Sequence, residues 1–170
     1  MKKSPAAATM LFLYNLAWSV AIPFLKRSRR FADGLDQRLA RQEDLREADV
    51  WIHGASAGES FLTAEIAQHP LMVGPLSLRL TSCTRQGVDI LEKTRTSLSA
   101  AKPDRAVRTA FLPFDKPTLM AKTVNAVRPR LAVLVELELW PGFLVALKQS
   151  GARIVIANGR MTERSLKRFL

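Results

Sequence analysis

The sequence predicts an α/β domain, a parallel sheet with helices on both faces, preceded by an apolar N-terminal helix. Three observations carry this expectation. Strand-like and helix-like runs alternate from Val50 onward, as repeated βα units require. Leu131-Ala132-Val133-Leu134-Val135 is the most apolar run, unbroken in the way of a central parallel strand covered on both sides. Residues 6–25 carry no formal charge, with Lys2-Lys3 before them and Lys26-Arg27-Ser28-Arg29-Arg30 after.

The chain divides accordingly into an anchor with its basic flank at 1–30, a polar linker or surface helix at 31–49, and a domain at 50–170. About 20 uncharged residues just suffice to cross a bilayer as a helix. Asn15 and Pro23 weaken a span, whereas Tyr14 and Trp18 suit an interface. An uncleaved anchor, spanning or lying in the surface, fits better than a cleavable signal peptide. No small-x-small site clearly follows, and the basic cluster resembles a flank held in the cytoplasm. The next stretch mixes Arg38, Arg41 and Arg46 with Asp36, Glu43, Asp44 and Glu47, and reads as a solvated helix or linker.

Within the domain the first strand is Val50-Trp51-Ile52-His53, followed by a helix over 59–68 and a loop holding Pro70, Gly74 and Pro75. A second strand over 76–81 leads to a helix over 85–94, and a third over 107–112 ends at Pro113-Phe114-Asp115. Pro117 opens a helix running to about residue 127, since its missing N–H is no loss in a first turn. After the fourth strand come a helix over 140–149, a fifth strand over 153–157 and a last helix over 162–169.

The charge balance narrows the partners. Twenty-six Lys+Arg against fifteen Asp+Glu give +11, a surface that seeks phosphate. Aromatics are few and not interleaved with the basic residues, so nucleic acid is not an expected partner. Cys83 is the only cysteine, which excludes an internal disulfide. It reads as a small buried filler. His53 and His69 stand apart without metal-site spacing and read as structural; no metal site is expected.

Reactive residues collect after the strands, where a doubly wound sheet opens its ligand crevice. Ser56 and Glu59 follow the first, Thr81-Ser82-Cys83-Thr84 the second, Asp115 the third, Glu136-Leu137-Glu138-Leu139-Trp140-Pro141 the fourth, and Asn158-Gly159-Arg160 the fifth. Gly58 lets a ligand or another backbone approach, or lets the chain take positive φ. Two carboxylate loops and an arginine facing one crevice supply a general base, a partner that tunes it and an anion clamp. An equally available reading is a glycine-closed loop with Glu59 complementing the helix dipole. Glu136 and Glu138 point to opposite faces if the strand continues through them, leaving one as a solvated or capping acid. Trp140-Pro141 is a good helix start in any α/β domain, and Arg160 has Glu163 as an alternative partner. The turn Gly54-Ala55-Ser56-Ala57-Gly58 lacks a following Lys-Ser/Thr and does not read G-x-G-x-x-G.

Four ordered motifs carry a family resemblance: Trp51-Ile52-His53-Gly54-Ala55-Ser56-Ala57-Gly58-Glu59, Leu112-Pro113-Phe114-Asp115-Lys116-Pro117, Glu136-Leu137-Glu138-Leu139-Trp140-Pro141, and Asn158-Gly159-Arg160-Met161-Thr162-Glu163-Arg164-Ser165. Their order and spacing resemble the N-terminal half of 3-deoxy-D-manno-octulosonic acid (Kdo) transferases. The resemblance implies the first of two Rossmann-like domains of a GT-B glycosyltransferase at the cytoplasmic face of the inner membrane. It implies transfer of Kdo from CMP-Kdo to the lipid A precursor, with inversion and without a cofactor or obligatory metal. Carried over, Glu59 is the catalytic base and Glu136 its functionally important companion. Ser56, Gly58 and Arg160 are the acceptor-binding candidates. The resemblance also implies that CMP-Kdo binds a C-terminal domain beyond residue 170, so that a separate donor-domain chain is an expected partner and the half alone is expected to be inactive. Leu137 stands where the family usually has threonine, Gly142 where it has asparagine, Gly159 where it has alanine, Met161-Thr162 where it has Leu-Ser, and Arg85-Gln86 where it has Pro-Thr. The competing expectation is a non-catalytic membrane-surface module that binds a phosphorylated glycolipid.

Overall fold

The computed structural model describes residues 5–41, 45–70, 72 and 74–159. Helix α1 (Pro5–Leu25) is followed by a single 3₁₀ turn (Arg29–Phe31) and the short α2 (Leu35–Arg38). Four βα units and a fifth strand follow: β1 (Val50–His53), α3 (Ala57–Gln68), β2 (Leu78–Ser82), α4 (Arg85–Ala101), β3 (Val107–Phe111), α5 (Pro117–Val127), β4 (Leu131–Val135), α6 (Pro141–Ser150) and β5 (Arg153–Ala157). The strands pair in parallel in the order β3-β2-β1-β4-β5. This is a Rossmann-like sheet. Its winding reverses between β1 and β4, where a crevice opens at the carboxyl ends of the strands.

Each central strand feeds both faces. Val50 and Ile52 of β1, with Val133 and Val135 of β4, pack under α3 and α4. Trp51, Ala132 and Leu134 turn to α5 and α6. That two-sided burial explains why β1 and β4 read as unbroken apolar runs. Trp51 anchors the second face: it is fully buried, 4.7 Å from the Phe143 ring, and its indole N–H donates to Thr81 Oγ1 at 2.8 Å.

Elements whose ends carry local punctuation fall where the sequence places them. Pro117 and Pro141 open α5 and α6, and Gly151 at φ +81° closes α6. Helix α4 runs on past residue 94 to Ala101, because no breaker intervenes before Lys102-Pro103. The helix expected over 162–169 lies outside the described residues.

The stretch expected to be solvated is in part buried. Arg38, Leu39, Ala40 and Ala48 are all within the packed body. The Arg38 guanidinium is stacked between two rings, 4.2 Å from the Phe111 centroid and 5.4 Å from that of Phe31, and donates to the Cys83 carbonyl at 2.8 Å. Its charge pattern reads as a solvated face, but aromatic stacking gives an arginine a buried alternative. Gln37 Oε1 accepts the Phe111 N–H at 2.7 Å, which occupies a donor on the outer strand β3.

Candidate active site at the strand ends

The β1–α3 turn is built from its own residues. Ser56 caps α3, its Oγ accepting the Glu59 N–H at 3.3 Å, and the Glu59 carboxylate reaches back to the amides of Ala55 and Ser56. This is a capping box. Both amides converge on Oε2 of Glu59, so two N–H donors fix the carboxylate at the switch point. Oε1 accepts no hydrogen bond from the described residues. The dipole-capping reading of Glu59 is thus realised.

Gly54 is what lets the turn close. A Cβ there would lie 2.7 Å from Thr63 Oγ1 and 2.8 Å from the Glu59 carbonyl. Gly58 does not take positive φ, and a Cβ on it would meet only Ser56 Oγ, at 3.8 Å. The close approach of backbone expected at Gly58 therefore occurs at Gly54, while the surface over Gly58 and the exposed Ser56 is open. Beneath the turn His53 is fully buried, its Nδ1 3.1 Å from both the carbonyl and the hydroxyl of Thr81. Burial pushes its ring down to about 4, so it is a neutral structural group.

The β4–α6 loop is built from afar. The strand ends at Val135, and Glu136 takes φ +61° while its N–H donates to Ala157 O at 2.8 Å. Asn158, just past β5, takes φ +56°. A left-handed non-glycine residue breaks the strand's two-residue alternation, so the expectation of opposite faces for Glu136 and Glu138 does not hold. Glu138 accepts the Trp140 indole N–H at 2.6 Å. Partial burial pushes its carboxyl up, and the charge of Glu59 adds to that, as does that of Glu136. Glu138 rather than a freely solvated acid is therefore what faces Glu59 electrostatically. It was the acid left without a role in the sequence reading, and the signal for it was the indole two residues on.

Asp115 holds the start of α6. Its carboxylate accepts the N–H groups of Gly142 at 2.8 Å and Phe143 at 2.7 Å, and the Tyr14 hydroxyl of α1 at 2.9 Å. Burial pushes this carboxyl up; the two amides and the hydroxyl pull the other way. Its acceptor capacity is spent on helix α6 and α1, so it is a structural cap. A Cβ on Gly142 would stand 2.5 Å from the Asp115 carbonyl, which accounts for glycine there. Cys83 is also inert: burial first, then neighbouring Glu138, push its thiol up to about 12, far above the range of a reactive thiolate.

A cavity of about 650 Å³ opens beside these residues, between α1, the 3₁₀ turn and the ends of β2 and β3. Trp18, Phe31, Phe114 and Trp140 give it aromatic walls, and Arg30 and Arg85 supply charge. Arg160 lies outside the described residues. Among the described residues no three His, Cys, Asp or Glu side chains are grouped to hold a metal ion.

A doubly wound parallel sheet with acids at its switch point defines a class, a Rossmann-like α/β domain. Sequence comparison makes it particular. Residues 33–170 match the family described as 3-deoxy-D-manno-octulosonic-acid transferase (kdotransferase), and the chain belongs to that glycosyltransferase family. It is 32% identical over 121 residues to a 3-deoxy-D-manno-octulosonic acid transferase of Chlamydophila psittaci, covering 71% of this chain and 26% of the relative. Against the enzyme of that name from Haemophilus influenzae the identity is 30% over 121 residues, with the same coverage of 71% and 26%. A bifunctional glycosyltransferase/methyltransferase of Fusobacterium nucleatum is 24% identical over 163 residues, 92% of this chain and 24% of the relative. The chain thus spans about a quarter of the length of these curated relatives.

Proposed function

We propose that this chain is the acceptor-binding, base-bearing half of a GT-B Kdo transferase that moves Kdo from CMP-Kdo to the lipid A precursor. The observation that carries the reading is the placement of Glu59, fixed by two backbone amides at the switch point with Oε1 unengaged among the described residues. In this mechanism Oε1 takes the proton of an acceptor sugar hydroxyl as that oxygen attacks the anomeric carbon of Kdo. CMP leaves from the opposite side and the configuration inverts. Amides that hold the base in place reduce the reorganisation needed at the moment of attack.

Glu136 supports the base or the acceptor, and Glu138 carries its charge close to Glu59. Arg160 and the other basic residues meet the acceptor's phosphates. The acceptor enters over Ser56 and Gly58. No cofactor or metal is required, and nucleic acid is not a partner. CMP-Kdo binds a second Rossmann-like domain, in the same protein or a separate chain, and the half alone does not turn over. Helix α1 with its flanking basic residues attaches the domain to the cytoplasmic face of the inner membrane.

One observation favours a second reading, a non-catalytic module that holds a phosphorylated glycolipid: the Glu59 carboxylate already completes a capping box. The two separate in one experiment. CMP-Kdo and tetraacyl lipid A precursor are supplied to the chain with and without a C-terminal donor domain, in wild-type and Glu59→Gln forms. Glutamine preserves the cap, so transfer by the reconstituted wild type that is lost in Glu59→Gln supports the enzyme. Lipid binding without transfer in every mixture overturns it in favour of the module.

A further inference from the structure

Helix α1 is apolar throughout in composition, yet its two sides do different things. One stripe docks on the domain: Leu11, Tyr14, Trp18, Ile22 and Leu25 follow one another at three- and four-residue steps and are all shielded at least in part. Tyr14 donates to Asp115, Asn15 Oδ1 accepts from Thr118 N–H at 3.3 Å and Thr118 Oγ1 at 3.2 Å, and Trp18 lies 5.7 Å from Phe114. Ile22 packs with Leu39 and Phe114. The opposite stripe is Met10, Leu13, Leu16, Val20 and Phe24, each more than half exposed.

The docked stripe runs from residue 11 to the helix end at Leu25. At 1.5 Å per residue it occupies about 20 Å of helix. The rest of α1, Pro5 to Met10, is far too short to cross the roughly 30 Å of bilayer hydrocarbon. Tyr14 and Asn15 lie at the middle of the 21-residue helix. In a spanning helix they would sit at the bilayer centre, where polar groups need partners, and here their partners belong to the globular domain.

We infer that α1 is a monotopic anchor, lying along one leaflet of an anionic bilayer with its Met10–Phe24 stripe in the acyl boundary and its Tyr14–Ile22 stripe on the domain. This rests on the membrane attachment proposed above and decides its geometry. The basic cluster supports it: Lys26, Arg27, Arg29 and Arg30 are exposed at the end of α1, at the level of acidic headgroups. An interfacial helix ordinarily keeps a charged face in water; in this chain the protein takes the place of water. The arrangement also brings the cavity walled by Trp18 and Leu25 to the membrane surface.

Spin labels on single cysteines test it, using the whole chain with Cys83→Ala and vesicles of phosphatidylethanolamine and phosphatidylglycerol. Labels at Leu13, Leu16, Val20 and Phe24 are expected at one shallow depth, about 5–10 Å below the headgroups, with Ala6→Cys on the outer side and open to an impermeant thiol reagent added outside. A depth profile that peaks near Leu13 and Leu16, with Ala6→Cys reached only after permeabilisation, overturns the inference and leaves the anchor standing. Failure to bind the vesicles overturns both.

Discussion

The two acid-bearing loops at the switch point are held in opposite ways. The β1–α3 turn is secured within five residues, by Ser56, Glu59 and the amides of Ala55 and Ser56. The β4–α6 loop depends on Asp115, 27 residues before Gly142, and behind it on Tyr14, another 101 residues back. One site is a local motif; the other exists only once the sheet has formed and α1 has docked. The Glu59 carboxylate is thus tied to its own backbone, and its electrostatic neighbour Glu138 is tied to the tertiary structure.

Four experiments break or sharpen that contrast. The largest effect belongs to the local loop and is chemical: in the reconstituted enzyme, Glu59→Gln lowers transfer by roughly 10²–10⁴-fold while the thermal midpoint stays near wild type, because glutamine keeps the cap. Second comes the group beneath that turn. His53 falls from an ordinary 6.5 to about 4 by burial. Its depressed value means the unfolded chain takes up a proton first. Stability from this residue is complete above about 6.5 and is lost progressively down to about 4, by about 3 kcal/mol in all. NMR titration of the ring gives the folded value, and urea unfolding between pH 7 and 4 gives the slope.

For the remote loop the effects are structural. Asp115→Ala leaves the Gly142 and Phe143 amides without their buried acceptor and costs about 2–3 kcal/mol in urea unfolding, with Trp140 fluorescence changing alongside; an unchanged midpoint would mean α6 is capped by something else. The smallest effect is that of Glu138→Gln. The Glu138 carboxyl is pushed up, first by burial and then by Glu59. A raised acid stabilises the fold below its ordinary value of 4.5 and loses that contribution as pH rises through the folded value. The variant is therefore slightly more stable than wild type at pH 7, and the difference closes on acidification. A gap that widens toward low pH would contradict this placement of Glu138.

The same contrast explains what could be read in the residues beforehand. β4, α5 and β5 carry their own boundaries in apolar runs, Pro117 and Gly151, and were legible. Glu59 was legible as a dipole complement at the start of α3, whereas its pairing with Ser56 in a capping box emerged only from the structure. Arg38 was not: nothing nearby in sequence announces that Phe111 will provide a stacking surface. Glu138 was obscured by a period-two reading carried one residue past Val135, where the backbone turns left-handed. Asp115 was noticed as a strand-end acid, but its duty to α6 depends on a crossover that only the folded sheet makes.

The clearance at Gly142 has a consequence for how this protein can change over time. With main-chain oxygen of residue 115 only 2.5 Å from where a methyl group would begin, neither position drifts by itself. A larger residue at 142 demands a prior shift in the 113–115 corner, and that corner in turn holds Tyr14. In the background of this chain, a library that randomises 142 alone will recover mostly glycine.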